Sequence, residues 1–145
     1  ASVLDVFSRR LIGWSLAEHM MTELCLDALQ MASATRQRSR FVGTTFHSDH
    51  GCQYTSDAFC KACTAMGITQ SMGSVGDSYD NAMAESLWSS LKRELFDGHV
   101  YATKQEARTL VFDWIMWYNT VRLHSSLGYS TPIEFEELAI QQAAA

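Results

Sequence analysis

Apolar positions come in short clusters near the start of the chain and change to helical spacing further along. Residues 2–7 (SVLDVF) and 9–17 (RRLIGWSLA) read as strands, and the turn formers Asp5 and Ser8 at their junction predict a hairpin. Leu24, Cys25, Ala28, Leu29 and Ala32 then recur at helical spacing, with Thr22 as the predicted cap. A short strand is expected over about 43–48. Ser56 predicts the start of a helix whose apolar face holds Phe59, Cys60, Cys63 and Met66, and Gly67 stands where a helix-ending glycine belongs. Residues 68–72 form the next short strand.

Residues 73–81 (GSVGDSYDN) read as a loop, mobile over 73–79 because its small and polar residues offer little apolar anchorage. A long helix is predicted over 82–96, with Ala84, Leu87, Trp88, Leu91 and Leu95 on its apolar stripe. Another follows over 104–118, with Ala107, Leu110, Val111, Trp114, Ile115 and Tyr118 on one face. TPIEFEELA opens a last helix: Thr131 caps it, Pro132 is its first residue, and Glu134 completes the capping pattern. Strands alternating with helices argue for an α/β layered fold. No repeat or low-complexity tract breaks the pattern, so residues 1–145 read as one domain.

The 145 residues are 47% hydrophobic with a single proline, which suits one core and excludes a disordered or collagen-like chain. No apolar run reaches membrane-spanning length, so no membrane partner is expected. The opening ASVLDVFSRR lacks the pattern of a secretory signal, which makes the cytoplasm the default compartment. Cys60 and Cys63 form a lone C-x-x-C inside a helical stretch, which reads as packed or surface thiols rather than a zinc site. The net charge of −5 is not the footprint of a general nucleic-acid binder. Arg36, Arg38 and Arg40 form the densest basic run, and it reads as a solvated loop.

The acidic residues carry more information. Asp49 directly follows a strand, and ligands of α/β sheets gather at strand carboxyl ends; its plain alternative is a turn aspartate before Gly51. Glu85 lies one turn into a helix, where the dipole favours negative charge, at the edge of the buried stripe. Asp80 and Asn81 precede that helix and are its expected caps. Two carboxylates from separate elements suit Mg²⁺ or Mn²⁺, and phosphodiester chemistry commonly uses two such ions about 3.5–4 Å apart. A site of that kind normally needs a third carboxylate.

The stretches VLDVFSRRLIGW, HSDHGCQYTSDAF, GDSYDNAMAESLWSSLKREL and WYNTVRLHSSLGYSTPIEF closely resemble the integrase core of IS3-type insertion-sequence transposases. The likeness covers nearly the whole chain, and its four motifs stand in the family's order. That family uses an Asp, Asp, Glu triad with 35 residues between the last two, and 35 residues separate Asp49 from Glu85. The resemblance therefore implies that Asp49 and Glu85 are the second and third catalytic residues and metal ligands, facing one another across a shallow site. It implies an RNase H-like mixed sheet flanked by helices, here lacking the first, central strand and the first catalytic aspartate. Asp5 matches a turn aspartate and not that first residue.

The resemblance further implies DNA strand transfer with two Mg²⁺ or Mn²⁺ ions, with transposon ends and target DNA as partners and a homo-oligomer as the working form. His50, Lys92 and Arg93 are candidate DNA contacts, each with a solvated or structural alternative. Gln53 and Tyr54 are expected to shape the pocket, and Trp114, Trp117 and Tyr118 to serve packing. Arg122 and His124 belong to a family motif with no role evident from the residues. The expected function is phosphodiester transesterification in the intact protein, with this chain inactive alone. The alternative is a catalytically dead unit that binds a partner or swaps into a dimer. A nuclease of the same fold acting on another nucleic acid is a third reading, disfavoured by the tail motif.

Overall fold

The structure is a computed structural model and describes residues 1–37, 41–73 and 82–144. In chain order the elements are β1 (Ser2–Leu4), β2 (Leu11–Trp14), α1 (Thr22–Thr35), β3 (Thr45–Ser48), α2 (Asp57–Ala65), β4 (Thr69–Met72), α3 (Ala82–Leu91), α4 (Lys104–Thr120) and α5 (Pro132–Ala143). The long helix predicted over 82–96 is α-helical only to Leu91; a π turn, Lys92–Phe96, completes it. The expected strands are all present but shorter than their apolar runs. The chain divides into two compact units, Ala1–Val3 with Ile12–Glu85 and Leu4–Leu11 with Ser86–Ala145.

The first unit has an apolar centre of Val3, Ile12, Cys25, Ala28, Leu29, Ala32, Phe41, Phe59, Cys63 and Ile68. Its helical members are those expected from the spacing in α1 and α2. Strand β2 runs so close to α1 that a Cβ on Gly13 would lie 2.2 Å from the Ala28 carbonyl oxygen, so only glycine fits there. Met21, and not Thr22, occupies the N-cap of α1, and no side chain caps it; Thr22 is the first helical residue. In α2 the Ser56 hydroxyl accepts the Phe59 N–H as expected. Gly67, at φ +68°, ends α2: its N–H reaches Thr64 O and the Ile68 N–H reaches Cys63 O, the paired bonds of a Schellman motif. That turn delivers the chain into β4, which pairs in parallel with β3 in the register Thr45–Thr69 to Ser48–Met72. A β–α–β unit results, with β3 ending at Ser48 beside the candidate aspartate.

The anticipated single mixed sheet is not what the described strands form. β1 pairs with β2 and β3 with β4, in two separate two-stranded sheets. The α/β layering is present, but no hydrogen-bond ladder joins the pairs among the described residues.

In the second unit α4 packs on α5 and on the π turn. Val111, Trp114, Ile115 and Tyr118 of α4 are buried, as their spacing predicts. In α3, Leu87 and Leu91 are buried but Trp88 is 40% exposed and Ala84 is exposed; Ser90 takes the third inward position instead. Asn119 in α4 is buried and pairs both ways with the backbone of Leu11: its Oδ1 accepts the Leu11 N–H at 2.9 Å and its Nδ2 donates to Leu11 O at 3.0 Å. The amide thus does for Leu11 what a neighbouring strand would do. At the start of α5, Thr131 and Glu134 form the expected reciprocal capping box behind Pro132. Glu136, one turn further on, accepts from Ser8 Oγ at 2.6 Å and Arg10 Nη1 at 2.7 Å.

Candidate active site

Asp49 stands at the carboxyl end of β3 and is exposed. Its Oδ1 accepts the Gly51 N–H at 2.9 Å, an Asx turn that fixes the carboxylate relative to the strand end. The turn continues as Gly51 O accepts from the N–H groups of Tyr54 and Thr55. Tyr54 packs edge-on to Phe59 at 5.3 Å and tilted against Phe46, so the loop after Asp49 is anchored in the core. Burial, then the adjacent Cys25 thiol and Asp49, push the Tyr54 hydroxyl well above the usual tyrosine range. Tyr54 is therefore a neutral wall of the site.

His50 is exposed, and its ring is tied down. The Gly73 carbonyl lies 2.8 Å from Nε2, and a carbonyl only accepts, so Nε2 carries the proton. Of its two ring nitrogens, Nδ1 faces elsewhere. His47 Nδ1 meets Ser71 Oγ at 3.2 Å across the β3–β4 register. Gln53 donates its amide to Met20 O at 2.7 Å, bracing the loop before α1.

Glu85 lies in the first turn of α3 and is exposed, where the helix start favours its charge. Lys92 and Arg93 are exposed on the π turn that continues the same helix. Asp80 and Asn81, most of the loop over 73–79, and Arg38 and Arg40 lie outside the described residues. Asp5 is a turn residue: its Oδ1 accepts the N–H groups of Phe7 and Ser8. All four cysteines are free, and burial followed by the neighbouring Cys60 raises the Cys63 thiol to about 11, which suits packing and not metal chemistry.

The donor chemistry at Asp49 and Glu85 is that of a hard divalent ion: exposed carboxylate oxygens, each carried by a regular element. Among the described residues, however, no three His, Cys, Asp or Glu side chains come together to hold a metal. The described side chains thus provide part of a ligand set.

The tail motif acquires a role in the second unit. Arg122 reaches Glu94 of the π turn with Nε at 3.1 Å and Nη2 at 2.8 Å, and Trp114 Nε1 donates to the same carboxylate at 3.2 Å. The guanidinium also lies over the Tyr118 ring, 5.7 Å from its centre. His124 meets that ring edge-on and approaches Arg122 Nη1 through Nδ1. Burial, then the Arg122 charge, lower the His124 pKa, so the imidazole is neutral and can accept there. Glu94 and Asn119 are the structural residues that sequence reasoning missed. Their signal was present, since KREL and WYN lie within the quoted motifs, but a carboxylate clamp needs its partner in space before it can be read.

Comparison with known proteins agrees with this arrangement. Two models described as the integrase core domain match the chain, one over residues 1–78 and the other over residues 66–132. The transposase for insertion sequence element IS904 of Lactococcus lactis is 38% identical over 135 residues, covering 92% of this chain and 53% of its own length. The transposase for IS629 of Shigella sonnei is 39% identical over 137 residues, covering 94% and 45%. The chain thus spans about half the length of the curated relatives it matches. Among solved structures, the catalytic core domain of BIV integrase superposes with a TM-score of 0.69 at 19% identity, over 99% of this chain and 88% of that one. The HTLV-2 integrase catalytic core domain, in complex with magnesium, gives a TM-score of 0.56 at 15% identity, over 91% and 78%. These likenesses establish an RNase H-like integrase-core fold, and with the matched models and relatives they show that the chain belongs to the integrase core domain family, in the form carried by IS3-type insertion-sequence transposases.

Proposed function

We propose that this chain is the catalytic part of a DNA strand-transfer enzyme, with Asp49 and Glu85 as two carboxylates of one metal-dependent site. The observation that carries the reading is the placement of Asp49: a carboxylate at the end of a parallel strand, exposed, and held by the Gly51 N–H. Glu85, 35 residues further on in the first turn of a helix, supplies the second carboxylate. Mg²⁺ or Mn²⁺ ions bound there would supply stabilisation of the attacking and departing oxygens of a phosphodiester. Asp49 would keep its orientation without a conformational search, because its Asx turn is already made. The dipole of α3 would favour the charged form of Glu85. His50, Lys92 and Arg93 are the proposed phosphate contacts, and Asp80 and Asn81 the proposed caps of α3.

In this reading the DNA partners are transposon ends and target, the working form is a homo-oligomer, and residues 1–145 form a catalytic core without its first strand and first aspartate. Two separate strand pairs are what a sheet without its middle strand would leave. The missing three-carboxylate group among the described residues supports a second reading, a catalytically dead unit that serves a partner or a swapped dimer.

The deciding experiment grafts this chain in place of the matching stretch of a full-length relative and measures metal-dependent nicking of end-labelled duplex DNA. Asp49→Asn and Glu85→Gln are each expected to lower cleavage at least about 100-fold, the scale on which misplacing a reacting group acts. Unchanged cleavage in both variants would falsify the assignment.

A further inference from the structure

Gln53 has a feature that bracing a loop does not explain. Its Nε2 donates to Met20 O at 2.7 Å, and since that carbonyl can only accept, the orientation of the amide is settled. The carbonyl oxygen, Oε1, therefore points the other way. A Cβ built on Gly51 would lie 2.9 Å from Asp49 Oδ1 and 3.2 Å from Gln53 Oε1, with the Tyr54 ring at 3.4 Å. Two acceptor oxygens thus border the same small space, and it stays open because residue 51 has no side chain. Neither oxygen can donate to the other. Acceptors gathered this way are stabilised by a water or a cation between them.

We infer that Gln53 is an oxygen donor to the cation site of Asp49, presenting Oε1 beside the aspartate carboxylate either directly or through a metal-bound water. The inference rests on the proposed role of Asp49 and extends it. An amide carbonyl is a hard donor that adds a ligand without adding charge, as in other oxygen-lined Mg²⁺ and Ca²⁺ sites. The Met20 bond is then what orients that donor, in the way that outer hydrogen bonds orient metal ligands generally. The chain spacing serves the same end. Asp49 and Gln53 sit on either side of the turn whose Gly51 carbonyl accepts from Tyr54 and Thr55, so one turn sets both oxygens.

The test is Mn²⁺ titration of the ¹⁵N-labelled chain, reading paramagnetic broadening of the amide resonances from Asp49 to Tyr54. The variants are Gln53→Leu, Gln53→Glu and Asp49→Asn, with circular dichroism to confirm folding. Gln53→Leu removes the oxygen and should weaken Mn²⁺ binding about tenfold, the lower end of what such ligand-supporting changes cost. Gln53→Glu keeps an oxygen there but loses the donor to Met20, and should bind at least as tightly as the parent. If both variants weaken binding equally, Gln53 acts only as a brace and the inference fails. If Gln53→Leu binds as the parent does while Asp49→Asn does not, the inference fails and the role of Asp49 stands. If Asp49→Asn leaves binding unchanged, or the parent shows no local broadening, the Asp49 site itself fails and the Gln53 assignment goes with it.

Discussion

Gly13 and Gly51 both act by having no side chain, but at different levels. At Gly13 the constraint is packing: β2 and α1 touch backbone to backbone, and a methyl group would overlap the Ala28 carbonyl and approach the Ala32 N at 2.7 Å. Backbone cannot swing aside as a long side chain can, so strand and helix would have to separate. Gly13→Ala is therefore expected to destabilise the chain by about 1–3 kcal/mol, the usual cost of overpacking, as measured by urea denaturation. A variant as stable as the parent would show that β2 and α1 do not approach this closely in solution. At Gly51 the constraint is functional placement, since the space it leaves is bordered by Asp49 and Gln53 oxygens. Glycine could be read from the sequence at both positions, but the reason for it could not. The one depends on a helix 15 residues away in sequence, and the other on where an amide points.

The elements differ in how locally they are specified. Helices α2 and α5 carry their own stop or start signals. Ser56 and Gly67 bound the first, and Thr131, Pro132 and Glu134 open the second, so these ends were legible from adjacent residues. Helix α1 has no such cap, and Thr22 was a misleading signal because its hydroxyl falls one residue too late to serve. The helix over 82–96 reads as continuous in the sequence, but its last turn widens to a π turn where Glu94 is held by Arg122 and Trp114. Such turns are rare and are often placed by tertiary contacts. Asn119 shows the same dependence on tertiary structure most sharply. A buried amide that satisfies both backbone groups of Leu11 leaves two unpaired if it is removed. Asn119→Leu is expected to cost about 2 kcal/mol or more, read as a lower denaturation midpoint, because a buried orphan donor or acceptor costs about 1–3 kcal/mol. A neutral substitution would mean that water replaces the amide at Leu11.

At the scale of the whole molecule, the described carboxylates fall short of the site that strand transfer requires. Two-ion chemistry depends on fixing each ion with protein ligands, and the described residues bring no three ligands together. The net charge of −5 also provides no long-range attraction for DNA. The 145-residue chain tested alone should therefore nick end-labelled duplex little or not at all in Mg²⁺ or Mn²⁺. Robust cleavage abolished by both Asp49→Asn and Glu85→Gln would show instead that this chain suffices, and Asp5→Asn would then ask whether its turn aspartate contributes. The residues alone made the α/β class, the helix faces, most element ends and the two acidic positions legible. These follow from periodicity, caps and spacing, which are properties of neighbours along the chain. Tertiary structure alone decided that the strands form two pairs, that Trp88 faces outward while Ser90 is buried, and that Glu94 closes on Arg122 and Asn119 on Leu11. Each of those depends on groups far apart in sequence competing for the same buried space or hydrogen bond, and no local pattern records which of them wins.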